Sequence, residues 1–464
     1  MKKTFIGREN DLKFLNSCYT GIKTQACLLI LSGKIRVGKT RLLKTFFQKK
    51  PHIYYHITKG SFKDQLETTL NLFIKEFEDY NFDKTIVVSW LDFFKYLGEK
   101  LVKQKVTLTI VFDEFQNLAE TQPAIVEDFV KGWKKYLKNK KLFLILSGSS
   151  LGLMNKYVLY KNSPLLHKDF HQHQLENFNF ENTKNCFSDG SFEKIFSLYS
   201  IVGGVPAYLQ ALDSHKSLRQ NIAQKVISKT SFLSTEPQLL INEEFQDPKI
   251  YLTILKSIGF LDLSFSQIVT KTGLKSNILI AYLDQLIKKK ILQKTLSFSD
   301  KLKANNKNGL YSISDYFLRF YFSFIFPNYS LIETDQLDIL FKKESINLNK
   351  LFAKAYEETS LEFLKAELGL ECQFSPWWNK ESRISWAGID LNKKQIIFAD
   401  CYWKNRLIGV KELNLLKNKA AQVPLENQYI TKTFCLISKE GFTDELIKLL
   451  NSESLILIEK DRVI

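Results

Sequence analysis

The sequence predicts an α/β protein, in which a parallel sheet flanked by helices is followed by a largely helical region and then by a second α/β unit. Three observations carry this expectation. Residues 1–175 alternate short apolar runs with longer amphipathic stretches, a glycine-bearing loop sits where the first run meets a helix, and β patterning of a new unit returns after about residue 346. A length of 464 residues suits about three domains with large buried cores. With 45% apolar and 25% charged residues, neither wholesale disorder nor a fibrous repeat is expected.

In chain order, the apolar runs 27–31, 53–56, 107–112 and 142–146 are the expected strands of the first sheet. Strand signals then fade. Helical patterning around 192–200 and 218–227, interrupted by Gly203-Gly204-Val205-Pro206, reads as a helical lid. Residues 245–315 read as three helices with a turn at Gly273, then a two-stranded wing (292–298 and 309–313) enclosing the polar loop 299–308. Aromatic-rich helices lead to a unit with helix 349–368, strand patterns at 388–391, 395–403 and 433–438, a helix at 444–451 and a strand at 455–459. The expected domains are therefore 1–175, 176–244, 245–315, 316–345 and 346–464.

The longest apolar stretches, 26–31 and 142–146, fall far short of the ~18 residues of a membrane-spanning helix, so no membrane partner is expected. Met1-Lys2-Lys3 runs into Gly7-Arg8-Glu9-Asn10-Asp11 without the apolar core of a secretory signal, which predicts a cytoplasmic protein. Six cysteines (18, 27, 186, 372, 401 and 435) form no CxxC pair, so neither a zinc cluster nor a disulfide framework is expected. Lys and Arg number 66 against 49 Asp and Glu, a net charge of +17 that favours polyanionic partners, nucleic acid first. An AT-rich genome gives the same lysine excess, and charge alone does not decide.

Chemistry is clearest at Gly33-Lys34-Ile35-Arg36-Val37-Gly38-Lys39-Thr40, which fits G-x-x-x-x-G-K-[ST] between a strand and a helix. Such a P-loop turns backbone N–H groups and a helix N-terminus toward phosphates. Gly33, Arg36, Val37, Gly38, Lys39, Thr40 and Arg41 are the expected ATP-binding set, with Lys39 reaching the β- and γ-phosphates and the Thr40 hydroxyl holding Mg²⁺. The run Leu108-Thr109-Ile110-Val111-Phe112 delivers Asp113 and Glu114 to a strand end, a Walker B pattern. There Asp113 joins the Mg²⁺ shell and Glu114 polarises the attacking water. After the fourth run come Ser147-Gly148-Ser149-Ser150, where a hydroxyl, Ser149 by preference, is expected to sense the γ-phosphate or position water. His171-Gln172-His173, without carboxylate or cysteine company, reads as a solvated turn rather than a metal site.

Phe5-Ile6-Gly7-Arg8-Glu9, Arg36-Val37-Gly38-Lys39-Thr40, Phe112-Asp113-Glu114-Phe115-Gln116, Ser147-Gly148-Ser149-Ser150 and Gly203-Gly204-Val205-Pro206 together resemble the archaeal-type ATPases. These form an AAA+/STAND-like branch of P-loop NTPases, found also in bacteria. The resemblance covers nearly the whole chain. It implies a P-loop sheet with a helical lid, a winged helix-turn-helix, and a C-terminal restriction-endonuclease-like domain of the DUF234 type. It also implies that Arg8 borders the nucleotide base and that Gly204 and Pro206 approach the nucleotide. No arginine finger follows from the spacing, which leaves open a trans-acting arginine from a homo-oligomer.

Within 271–307, nine lysines (271, 275, 288, 289, 290, 294, 301, 303 and 307) face two acids, Asp284 and Asp300. Lys275, Ser276 and Asn277 at a helix start, with Lys301, Lys303 and Lys307 in the wing, are the expected DNA contacts. A winged helix also serves as a packing module. In the last unit, Gly388-Ile389-Asp390 and Asp400-Cys401-Tyr402 resemble the PD-(D/E)XK nuclease core, with Asp390 and Asp400 as a second metal pair and Glu357 or Glu358 as a further carboxylate. Tyr402 stands where that core has lysine, so weak or absent cleavage is expected, with Lys404 the nearest substitute of equal strand parity. The leading expectation is a DNA-associated ATPase. Its rivals are a STAND-like signalling switch acting on a protein partner and a DNA-binding regulator with a structural nucleotide site.

Overall fold

A computed structural model describes the chain except residues 1–5, 24, 150–152, 168, 188–189, 246, 303–308, 369–372, 391–393, 425–430 and 452–453. Two compact units emerge, one of residues 1–186 with 205–210, the other of 187–204 with 211–464. Among the described residues, no helix is long and apolar enough to cross a membrane.

The first unit holds a parallel sheet of β1 (Cys27–Gly33), β2 (His52–His56), β3 (Leu108–Asp113), β4 (Leu142–Gly148) and β5 (His171–Leu175), in the order β2-β3-β4-β1-β5. β3 and β4 are buried along their whole length, which is why they read as largely apolar runs. Alternate side chains serve opposite faces. Leu29, Leu31, Val111 and Ile145 pack with helices Glu9–Thr20 and Lys39–Phe46, while Leu28, Ile30, Phe112 and Leu144 join Phe73, Trp90, Phe93 and Phe129 on the other face.

β5 corrects the reading of His171-Gln172-His173 as a turn: these residues are an edge strand, in register with β1 from Leu29↔His171 to Gly33↔Leu175. Only Leu175 of that strand is buried, so no apolar run marks it in the sequence.

In the second unit, helices Lys249–Ile258, Phe265–Thr272 and Ser276–Lys288 enclose Ile254, Leu255, Ile268, Leu279, Leu283 and Leu286 beside a small antiparallel sheet. Its strands are β6 (Leu263–Ser264), β7 (Leu292–Thr295) and β8 (Leu310–Ile313), ordered β6-β8-β7, one more than expected. A further difference follows β7. Part of the expected polar loop is a helix, Phe298–Leu302, because Phe298 is buried against Trp377.

A six-stranded mixed sheet closes the chain: β9 (Gln373–Trp378), β10 (Arg383–Asp390), β11 (Gln395–Tyr402), β12 (Thr431–Ser438), β13 (Leu455–Glu459) and β14 (Arg462–Val463). β9, β10 and β11 are antiparallel, whereas β11, β12 and β13 run parallel. Parallel neighbours need a crossover, and helix Val410–Ala421 supplies it between β11 and β12. Helix Leu337–Leu368 begins well before the expected residue 349.

A charge network binds these layers. Arg319, 1% exposed, donates to both oxygens of Glu358 at 2.8 Å and from Nε to the Ile313 carbonyl at 2.8 Å. Lys354 pairs with Asp262, and Arg383 bonds Glu357 at 2.5 Å. Burial alone would raise the Asp262 carboxyl, but Lys354 and Arg383 hold it below the usual range. Glu357 and Glu358 are thus engaged by guanidinium groups rather than offered to a metal.

Candidate functional site

The parallel strands β1, β3 and β4 end at one edge of the first sheet, so residues far apart in sequence meet there. β1 ends at Gly33, where a Cβ would come within 2.8 Å of the Leu175 carbonyl. The loop then turns through Arg36 at φ 63° and Gly38 at φ 100°, and Gly38 caps helix Lys39–Phe46. Lys39 is 6% exposed, and its ammonium donates to the carbonyls of Gly33 (2.8 Å) and Lys34 (3.2 Å). Burial pulls it from the ordinary lysine value of 10.5 to about 8, against the opposing pull of Glu114 and Asp113.

Arg8, at the start of helix Glu9–Thr20, is buried on the same loop. Its Nη2 donates to the Val37 carbonyl at 2.9 Å, and its guanidinium lies 4.6 Å from the centre of the Phe178 ring. Arg41 is half-buried on the first turn of helix Lys39–Phe46.

Asp113 closes β3, and Glu114 turns the chain at φ 57° into helix Phe115–Thr121, so the two carboxylates point apart. Glu114 Oε2 accepts from the Ser149 hydroxyl at 2.6 Å and from Gln116 Nε2. Ser149 is therefore brought to Glu114 across β4, while Ser150 lies outside the described residues.

Sequence reasoning missed the residues facing Asp113. Tyr54 donates to Asp113 Oδ2 and is hydrogen-bonded to Thr40, and His56 Nδ1 stands 3.5 Å from the same carboxylate. Register explains this, for β2 pairs His56 with Asp113 and places Tyr54 on the same face. Burial, reinforced by Asp113, pushes the Tyr54 hydroxyl up. The Tyr54 oxygen thus bridges Thr40 and Asp113, and a hydroxyl with a carboxylate is an oxygen donor set of the kind that a small, hard cation such as Mg²⁺ takes.

The other expected residues divide. Pro206 opens helix Pro206–Ala211 and groups with the first unit, whereas Gly204 groups with the second. Lys275, Ser276 and Asn277 are exposed at the start of helix Ser276–Lys288, and Lys301 is exposed on helix Phe298–Leu302. Lys303 and Lys307 lie outside the described residues. The segment after β7 is anchored: Trp377 Nε1 donates to Ser299 Oγ at 3.0 Å and Ser375 Oγ to the Leu296 carbonyl at 2.8 Å.

The pairing of Asp390 with Asp400 around one metal needs correction. Asp390 lies opposite Gln395, whereas the Asp400 carboxylate accepts from the Ser385 backbone at 3.0 Å, five residues earlier on β10. At ~3.3 Å per residue the two are roughly 17 Å apart along the strand. Lys419, on the crossover helix, reaches Asp400 at 2.7 Å. Burial raises the Asp400 carboxyl and Lys419 opposes the rise. Lys404 instead lies 5.4 Å from the centre of the Tyr402 ring, and the buried Tyr402 hydroxyl has no hydrogen-bond partner among the described residues.

A family described as an ATPase domain predominantly from Archaea matches residues 5–212, and one of archaeal and bacterial proteins of unknown function matches 321–423. An uncharacterized protein of Methanocaldococcus jannaschii, MJECL04, is 30% identical over 412 residues, covering 86% of this chain and 88% of its own. The chain belongs to the archaeal-type ATPases. Among solved structures, the Walker-type ATPase PABY2304 of Pyrococcus abyssi is similar in fold, with a TM-score of 0.50 and 18% identity over 69% of this chain and 97% of that one. The ORC2 protein of Aeropyrum pernix, solved in ADPNP-ADP complexes, aligns at 12% identity with a TM-score of 0.43 over 75% of this chain and 98% of that one. The Walker-type ATPase fold of this archaeal-type ATPase rests on the family and on the first of these structures.

Proposed function

We propose that the protein binds and hydrolyses ATP with Mg²⁺ at the β1–β3–β4 edge and that it works in association with DNA. The convergence of Lys39, Asp113, Glu114 and Ser149 on that edge carries the reading. Lys39 would exchange its loop carbonyls for the β- and γ-phosphates. Thr40 and Asp113 would hold the Mg²⁺ ion, whose role is to neutralise phosphate charge. Glu114, steadied by Gln116 and Ser149, would orient water for in-line attack. Arg8 fixes the loop through Val37 and would border the base.

On this reading residues 176–244 act as lid, 245–315 as a winged helix, 316–345 as connection and 346–464 as a module that does not cleave nucleic acid. The anchored segment after β7 supports a DNA surface centred on Lys275, Ser276 and Asn277, with Lys301 at its margin. ATP turnover measured with and without single- and double-stranded DNA tests the proposal. Turnover that rises with DNA supports it. Slow turnover indifferent to DNA, with salt-independent behaviour, would favour a switch acting on a protein partner.

A further inference from the structure

At the opposite edge of the first sheet, three side chains from three elements converge. Cys18 lies in the last turns of helix Glu9–Thr20, Cys27 opens β1, and His171 opens β5. One donor atom from each lies within 4.8 Å of the other two, and the two thiols are hydrogen-bonded to each other. No short motif links them in sequence. Parallel pairing of β1 with β5 and the packing of the first helix on the sheet create the cluster.

We propose that Cys18, Cys27 and His171 form a site for a thiophilic divalent cation of the zinc class, with a fourth position open to water. Two sulfurs and an imidazole nitrogen are a donor set that zinc accepts, at ~2.3 Å to sulfur and ~2.0 Å to nitrogen. Tetrahedral bonds of those lengths put donors roughly 3.5–3.8 Å apart, so donors already within 4.8 Å need to move by about an ångström. Both cysteines are half-buried, and His171 is exposed, which gives the ion a route in from solvent. Binding would release the thiol protons to water, the two thiolates then carrying the charge that holds the cation.

Such a site is distinct from the nucleotide edge. Cys27 and Gly33 stand at opposite ends of β1, roughly 20 Å apart at ~3.3 Å per residue. The two are nevertheless mechanically joined. The cation would tie the C-terminal end of helix Glu9–Thr20 to β1 and β5, and the other end of that helix adjoins Arg8, which donates to the Val37 carbonyl at 2.9 Å. His173, which follows His171 on the same face of β5, already secures the helix through a 2.6 Å contact with Asp11. An occupied site would clamp the helix at both ends.

Cobalt(II) titration of reduced, chelator-treated full-length protein tests this. The expected result is one Co²⁺ per chain with the near-ultraviolet sulfur-to-cobalt charge-transfer absorption, bleached on adding Zn²⁺. Cys18→Ser and Cys27→Ser should each remove that absorption, and His171→Ala should weaken Co²⁺ binding by at least about tenfold. Cys186→Ser and Cys435→Ser should leave it unchanged. Equal metal-free melting curves for wild type and His171→Ala separate ligand loss from misfolding. Absence of the absorption at stoichiometric Co²⁺, or its persistence in Cys18→Ser, overturns the proposal. So does reduced protein that takes up no metal and forms a Cys18–Cys27 disulfide once reductant is removed and air admitted, which would make the pair a redox couple.

Discussion

Two acidic strand ends in this molecule have opposite fates. In the first unit, parallel strands deliver Asp113 and Glu114 to the edge where β1 delivers the P-loop, so distance in sequence is cancelled by strand direction. In the C-terminal sheet, β10 and β11 are antiparallel, and their register sends Asp390 to the hairpin end while Asp400 stays five residues away beside Ser385. One edge gathers unlike groups, a buried ammonium, two carboxylates and a hydroxyl. The other leaves one acid at the sheet's margin and neutralises the second with Lys419. A pair of acids near strand ends therefore means little until the direction and register of its strands are known.

The sharpest break in this comparison comes from Lys39→Ala, expected to lower ATP affinity by more than about a hundredfold because it removes the buried charge proposed to meet the phosphates. Calorimetric ATP titration reads it directly. On the other side of the comparison, Lys419→Ala leaves the buried Asp400 carboxylate without its cation. Because Lys419 is partly exposed, a loss of about 2 kcal/mol in urea unfolding is expected, below that of a fully buried pair. Neither the wild type nor Tyr402→Lys should cleave DNA with Mg²⁺ or Mn²⁺, since a lysine at residue 402 does not bring Asp390 to Asp400. Metal-dependent nicking by Tyr402→Lys, lost in Asp390→Ala, would show that the two acids do meet.

Smaller effects sharpen the nucleotide side. In the free protein the Lys39 ammonium titrates at about 8, while bound phosphate favours its protonated form. Affinity should be flat below that pH and fall above it, by up to roughly tenfold per pH unit, because binding must then restore a proton. Titrations from pH 6.5 to 9.5 check this, and an equal fall in Lys39→Ala would refute the assignment. Gln116→Ala and Ser149→Ala should each lower kcat by about tenfold with little change in KM, as expected of groups that steady Glu114. Lys275→Glu should weaken duplex DNA binding several-fold and flatten its dependence on salt, measurable by fluorescence anisotropy.

Much of the first sheet was legible because strands buried on both faces are largely apolar runs, as β3 and β4 show. β5 was not, since an edge strand of histidine and glutamine carries no such signal. The candidate residues Lys39, Thr40, Asp113 and Glu114, which the structure brings to one sheet edge, were readable from local spacing alone. Tyr54 and His56 were not, because their approach to Asp113 depends on the register between β2 and β3, although their shared strand parity hinted at a common polar face. Cys18, Cys27 and His171 were opaque for the same reason, as only tertiary pairing makes neighbours of them. The helix Phe298–Leu302 likewise depends on Trp377, a residue far along the chain.

The central claim, that the β1–β3–β4 edge hydrolyses ATP with Glu114 acting on water, is tested most directly by comparing wild type with Glu114→Gln in paired binding and single-turnover assays. The account predicts nearly equal ATP affinity for both, with phosphate release by the wild type and a loss of at least about a hundredfold in the variant. Equal turnover in the two proteins, or no turnover in either while ATP stays bound, would contradict it.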